Sequence, residues 1–193
     1  MTENTTTCTP SARTHLRLAL EVPRWALAFY LRHIVLVAGV SLVPAAERFA
    51  AALWGDTWST AAHIALEVLA EGTRVVLVVL LVRVAILGDE RVRGGRHLGD
   101  GRRVRAFLDR RWPSLLLQGA FLLALAAVLD IVPERVVPLW IPASAEDLYW
   151  ALLLAVKNVT VIAFTFVWMV AAVRQMLVEG GRLLEEPTGS TEV

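Results

Sequence analysis

Ionisable side chains interrupt the apolar stretch of residues 60–87, whose sequence is TAAHIALEVLAEGTRVVLVVLLVRVAIL. At about 100° per residue, the polar positions of its first half share one face of a helix. These positions are Thr60, His63, Glu67, Glu71 and Arg74. A charged side chain at membrane depth costs about 2.5–3.5 kcal/mol on insertion scales. We therefore predict that this stripe faces protein or water, and that other apolar segments supply its partners.

Other apolar stretches carry polar groups at a similar predicted depth. The predicted polar cluster combines the groups of all these stretches: Arg32, His33, His63, Glu67, Glu71, Arg74, Lys157 and Asn158. At about 1.5 Å per residue along each helix, Lys157 is expected within one turn of the level of Glu71. We therefore predict an ion pair between Lys157 and Glu71 or Glu67. Arg74 is expected to bind the carboxylate that does not pair with Lys157.

Three kinds of function are compatible with a polar cluster at this depth. It could be a hydrogen-bonded network that fixes how the helices pack, since buried charge pairs specify register without adding much stability. One group could instead remain unpaired and meet a charge on a helix of another membrane protein or of a second copy. The third hypothesis is a pathway for protons or ions, or a pocket for a substrate headgroup.

The sequence carries no enzyme signature. It has no H-E-x-x-H, no G-x-S-x-G and no Cys/His cluster with the spacing of a metal site. His63 and Glu67 are one helical turn apart, but two ligands do not make a metal site. We predict no catalytic residue, no cofactor and no metal, and the sequence favours a non-enzymatic role.

Composition places these groups in a membrane protein. The chain has 193 residues, of which 56% are hydrophobic, against 45–50% in a typical soluble domain. The excess lies in blocks of about 20 residues, the length that crosses the hydrocarbon core. Spans are predicted at residues 25–43, 61–82, 114–132 and 148–173. The predicted fold is an all-α integral membrane four-helix bundle whose membrane domain covers residues 25–173, with Pro44 marking the exit of its first span.

Polar segments flank and connect these spans. Residues 1–24 are predicted as a tail whose amphiphilic part, residues 13–24, is either a helix on the membrane surface or a solvated approach to the first span. The glycine-rich residues 88–111 are predicted as a flexible loop with a helical turn or two at its end. Residues 174–193 are predicted as a second tail, in which Gly180 and Gly181 stop the helix.

Basic residues predict the orientation in the membrane. Residues 88–111 contain eight Arg and four acidic residues, whereas the two connections on the other side have only Arg48 and Arg135. The positive-inside rule therefore places both termini and residues 88–111 in the cytoplasm. The bias of 18 Arg over the single Lys157 is typical of a GC-rich bacterial genome, so we expect a multi-pass protein of a bacterial plasma membrane.

The arginines of residues 88–111 have a second interpretation besides orientation. Basic residues near the membrane surface bind anionic lipid headgroups, at about 1 kcal/mol each. Nucleic acid is not predicted as a partner, because no aromatic residue is interleaved with these arginines before Phe107. Cys8, the only cysteine, is read as an incidental thiol.

The sequence thus predicts a non-enzymatic membrane subunit that is an accessory or interaction partner of another membrane protein. The alternative is a small oligomeric transporter or channel that uses the Glu, Lys and His side chains of the polar cluster. The expected partners are the lipid bilayer, anionic lipid headgroups at residues 88–111, and either another membrane protein or further copies of the chain.

Overall fold

The computed structural model describes residues 12–186, and it is all-α as predicted. No strand occurs within these residues. The α-helices are α1 (Ala12–Arg32), α2 (Ile34–Trp54), α3 (Thr60–Val82), α4 (Glu90–Gly94), α5 (Asp100–Ile131), α6 (Glu146–Lys157) and α7 (Ala163–Glu185). Residues 1–11 of the predicted N-terminal tail, including Cys8, and residues 187–193 lie outside the described part.

Three π-helical segments extend or join these helices. Arg83–Leu87 continues α3, and Val132–Val136 continues α5. Asn158–Ile162 connects α6 to α7, so that residues 146–185 form one long interrupted helix. Its first turn carries Glu146 and Asp147, whose negative charges stabilise a helix N-terminus.

The amphiphilic N-terminal segment is a helix, and it is longer than predicted. Leu18, Val22, Ala26 and Phe29 are buried along one face of α1, with spacings of three or four residues. This face packs against α5 and α7. The pattern of residues 13–24 therefore continues to Arg32, and α1 covers part of what was predicted as the first span.

The helices do not follow the bounds predicted for the first span. The helix breaks at His33, whose φ of −113° and ψ of 28° are not helical, and α2 begins at Ile34. Pro44 does not end the helix, since α2 continues through it to Trp54. A proline removes one hydrogen bond of the helix but does not exclude its continuation in an apolar, well-packed segment.

Three helices are long and apolar enough to cross a membrane, which is a feature of membrane proteins. They are the helical segments Ile34–Thr57, Asp100–Trp140 and Ala143–Glu185. The helix α3 matches the second predicted span closely in its bounds. It is not among these three, because Glu67, Glu71 and Arg74 lie in its apolar run.

The helices pack in two groups, one at each end of the molecule. The helix α7 packs on α5 and α1, and α2 packs on α6 and α3. A continuous apolar core joins the two ends, with Phe29, Leu81 and Trp168 among its buried members.

Two segments predicted as irregular are ordered helices. Residues 88–111 form α4, a short 3₁₀ turn and the first three turns of α5, so they are not a flexible loop. Gly180 and Gly181 do not stop α7, which continues to Glu185. A Cβ atom on Gly180 would lie 1.9 Å from the carbonyl oxygen of Arg103, so glycine is required here for the close approach of α5.

Candidate functional site

The polar cluster predicted from the sequence is divided by the structure into separate groups. The central group joins Arg74 of α3 to Asn158, at the start of the π-helical segment. The Nη2 group of Arg74 donates a hydrogen bond to Oδ1 of Asn158 at 2.7 Å, and its Nη1 group pairs with Glu71. The Nδ2 group of Asn158 donates to the carbonyl of Leu154 at 2.8 Å. Arg74 thus takes a carboxylate from the stripe, as the sequence predicted.

A small cavity of about 10 Å³ adjoins this group, between α2, α3 and the π-helical segment. Ser41, Pro44 and Arg74 contribute to its wall. Ser41 is 3% exposed, and neither its hydroxyl oxygen nor Nε of Arg74 has a hydrogen-bond partner in the described part of the chain. The volume is close to that of a single water molecule.

Lys157 does not pair with Glu71 or Glu67, so that prediction is wrong. Its ammonium group binds Glu134 at 2.6 Å and also pairs with Asp130. Both carboxylates belong to the end of α5 and its π-helical extension. Neighbouring residues of a helix point about 100° apart, so Lys157 faces α5 while Asn158 faces α3.

The two carboxylates of the α3 stripe point away from the helix packing. The side chain of Glu67 is 63% exposed and that of Glu71 is 53% exposed. The nearest cation to Glu67 is Arg48, at 3.8 Å. We call the surface that carries them the outer face of α3, and its other exposed members are Ile64, Val68, Val75 and Val79. This face combines apolar side chains with two carboxylates.

The remaining members of the polar cluster lie elsewhere. His63 bonds to the carbonyl of Gly55 at 2.9 Å, beside the turn before α3. Arg32 and His33 line a separate cavity with Gly88 and Asp89, at the opposite end of α3. They therefore do not converge with Glu71, because the break at His33 places them below the apolar part of α2. Within residues 12–186, no group of three or more His, Cys, Asp and Glu side chains could hold a metal ion.

A second polar centre lies at the end where α7 finishes, and the sequence did not predict its pairs. Arg174 of α7 binds Asp89 through Nε at 2.7 Å and through Nη2 at 2.6 Å, and its guanidinium lies 4.9 Å from the ring centre of Trp25. Burial alone would raise the pKa of Asp89. The hydrogen bond and charge of Arg174, with the backbone N–H of Arg91, instead hold that pKa below its usual range.

Arg103 is the most buried charge of this centre, with no exposed surface. Its Nε donates to the carbonyl of Leu177 at 2.7 Å, and its Nη1 donates to the carbonyl of Val92 and to Asp100, both at 3.1 Å. These bonds tie α4, α5 and α7 together. Nothing in the sequence distinguishes Arg103 from the other arginines of residues 88–111, since Arg111 has the same spacing of four from Phe107.

A chain of side-chain amides joins α5, α7 and α1 further along the helices. Gln118 of α5 donates to the side-chain oxygen of Gln175 at 2.7 Å, and Gln175 donates to the carbonyl of Leu18 at 2.8 Å. Both glutamines are buried. The sequence did carry a signal for this link, since Gln118 is the only polar side chain between Ser114 and Asp130 in the third predicted span.

Comparison with known proteins adds no assignment. No family model matches the chain, and no significant match exists among curated proteins or solved structures. The proposals for its function therefore depend on the geometry alone.

Proposed function

We propose that the chain is a multi-pass protein of a bacterial plasma membrane, with four spans and both termini in the cytoplasm. The fourth span is α3, which packs on α2 and contacts α7 although it carries charge. The pairing of Arg74 with Glu71 and Asn158 lowers the cost of placing that charge at membrane depth. The excess of arginine in residues 88–111 supports the orientation.

Cysteine labelling tests this topology, since Cys8 is the only native thiol. A maleimide that cannot cross membranes should label Cys8 in inside-out vesicles but not in intact cells. With Cys8→Ser as background, Asp56→Cys should be labelled in intact cells. The reverse pattern, or labelling of both positions from one side, would contradict the proposed topology.

For the molecular role, we propose a non-enzymatic interaction subunit that binds another membrane protein through the outer face of α3. The observation that carries this proposal is the exposure of Glu67 and Glu71 among apolar side chains. Lipid would solvate Ile64, Val68, Val75 and Val79 but not two carboxylates. A partner helix that bears Lys or Arg at this depth satisfies both parts of the face.

Site-specific photo-crosslinking in the native membrane tests this role. A photoreactive amino acid at Val68, which is 66% exposed, should form a crosslink to one protein whose crosslinked helix contains a basic residue. The double variant Glu67→Gln/Glu71→Gln should weaken that crosslink. The matched control is Leu123 of α5, which is 72% exposed and has no charged residue within one helical turn. Crosslinks from Val68 to lipid alone, or equal crosslinks from Leu123, would contradict the proposal.

The transporter hypothesis receives less support from the geometry. The cavity beside Arg74 holds about 10 Å³, enough for roughly one water molecule but not for a hydrated ion. A pathway through a single chain is therefore not favoured. An assembly of several copies would have to form it between chains.

A further inference from the structure

A cavity of about 590 Å³ opens between α1, α4, α5 and α7, at the end of the molecule where α7 finishes. This volume lies in the range of small-molecule sites. The cavity is far from the outer face of α3, because the wall contributed by α7 begins at Arg174 and reaches Glu185. It is therefore independent of the proposed interaction surface.

The floor of the cavity is built from groups that already have partners. Arg103 is held by two backbone carbonyls and Asp100, and Arg174 is held by Asp89. Gly181 brings α7 against the Arg103 side chain, since a Cβ atom there would lie 3.3 Å from Nε. These contacts make the floor rigid and leave its two guanidinium charges compensated.

The rim of the cavity carries charges of both signs, and we define it by six side chains: Arg17, Arg91, Arg182, Glu21, Glu179 and Glu185. Within residues 12–186, the side chains of Arg17, Arg91, Glu21 and Glu185 have no hydrogen-bond or ion-pair partner. Arg182 has Glu179 at 3.4 Å. Three cations therefore face three carboxylates around one opening.

A rim with balanced charge selects among ligands. A purely anionic group would gain from the arginines but would be repelled by the carboxylates. A ligand with a phosphate and an ammonium group satisfies both sets, because guanidinium binds phosphate in a bidentate manner and carboxylate accepts N–H donors. With the proposed topology, this rim lies at the inner headgroup level, near Trp25 and Arg174.

We propose that this cavity binds the phosphoethanolamine headgroup of a phospholipid, with its phosphate on Arg17 and Arg91 and its ammonium group on Glu21 and Glu185. The requirement for N–H donors excludes a choline headgroup, whose quaternary ammonium has none. The sequence predicted that residues 88–111 bind anionic lipid headgroups. Because the rim also carries carboxylates, we expect it to bind a zwitterionic headgroup instead.

Native mass spectrometry of the detergent-purified full chain tests the proposal. The probes are dioleoyl phospholipids with ethanolamine, choline or glycerol headgroups, and free phosphoethanolamine. The ethanolamine lipid should bind most tightly, and the variant Arg17→Gln/Arg91→Gln should weaken it at least about tenfold. The matched control is Arg102→Gln/Arg105→Gln, which removes two exposed charges of α5 outside the cavity and should leave binding unchanged.

Each other outcome overturns part or all of the proposal. Tighter binding of the glycerol lipid, lost in the cavity variant, would show an anion site in place of a zwitterion site. If free phosphoethanolamine bound as tightly as the ethanolamine lipid, the ligand of the cavity would be a soluble molecule and not a lipid. Equal losses in the two double variants would reduce the effect to general electrostatics. None of these results bears on crosslinking from Val68, so the two proposals fail separately.

Discussion

Arg74 donates a hydrogen bond to Asn158 across 2.7 Å, and this bond joins α3 to the π-helical segment between α6 and α7. Asn158 is 4% exposed, so the bond lies in a desolvated environment. A π-helical segment inside a longer helix shifts the side chains that follow it and often marks a special position. Here it places the amide of Asn158 within reach of the only cation of α3.

Replacement of Asn158 by leucine should therefore destabilise the protein. It leaves the partly buried guanidinium group of Arg74 with one partner fewer, at a cost of about 1–3 kcal/mol. Thermal unfolding in detergent measures the loss. Thr160→Val is the matched control two residues later, because the hydroxyl of Thr160 is exposed and bonds only to its own helix at Val156. An Asn158→Leu variant that unfolds at the wild-type temperature would show that the bond to Arg74 contributes nothing.

Gly180→Ala should be strongly destabilising, because its methyl group would lie 1.9 Å from the backbone carbonyl of Arg103. Backbone cannot move aside like a flexible side chain, so α5 and α7 must separate, at a cost of about 3 kcal/mol or more. Gly119→Ala is the control, since a Cβ atom there meets nothing within 4 Å. That variant should stabilise α5 by up to about 1 kcal/mol. Similar melting temperatures for the two variants would contradict the close helix contact.

The sequence predicted the positions of the helices much better than the pairing of side chains between them. The apolar blocks of about 20 residues located α3 and the apolar parts of α5 and α7, because hydropathy is a local property of the sequence. The prediction misplaced the first span because a proline was taken as a helix end, whereas Pro44 lies inside α2. The helix break at His33 has no comparable signal, since neither glycine nor proline is present there.

Pairing within the candidate site was predictable only where it stayed on one helix. Glu71 and Arg74 are three residues apart, a spacing that brings side chains together on any helix. The partner of Lys157 depends on lateral placement and on the π-helical extension that carries Glu134. That extension was predicted as a loop, so its carboxylate was not considered. Depth along a span does not say which neighbouring helix a side chain faces.

Asp89→Asn isolates the ion pair with Arg174, because asparagine keeps the cap that Asp89 provides to the N–H of Arg91 at 2.7 Å. The folded state holds the pKa of Asp89 below its usual value. Its contribution to stability is therefore present above the unfolded pKa of about 3.9 and is lost as the pH falls through the lower folded value. At pH 7 the variant should lose about 1–3 kcal/mol.

Unfolding measured from pH 7 downward checks the sign of this effect. The gap between wild type and Asp89→Asn should narrow below about pH 4. Asp109→Asn serves as the control, since its side chain is 67% exposed and lies 3.8 Å from Arg105. It should change stability little at any pH. If the difference in unfolding free energy between wild type and Asp89→Asn widened as the pH falls, Arg174 would not stabilise the ionised form of Asp89.

Two double-mutant cycles distinguish the observed partner of Lys157 from the one that the sequence predicted. Glu134 lies 2.6 Å from Lys157, so Lys157→Met and Glu134→Gln should be coupled by about 0.5–3 kcal/mol. Lys157→Met and Glu71→Gln should instead add within about 0.5 kcal/mol, because Glu71 pairs with Arg74. Both cycles use the same lysine variant and the same unfolding assay, so its general effect on folding cancels. Coupling to Glu71 but not to Glu134 would show that Lys157 pairs with the α3 stripe and not with the end of α5. Lys157 and Arg74 would then both lie at the outer face of α3, which we propose binds a cation of a partner protein.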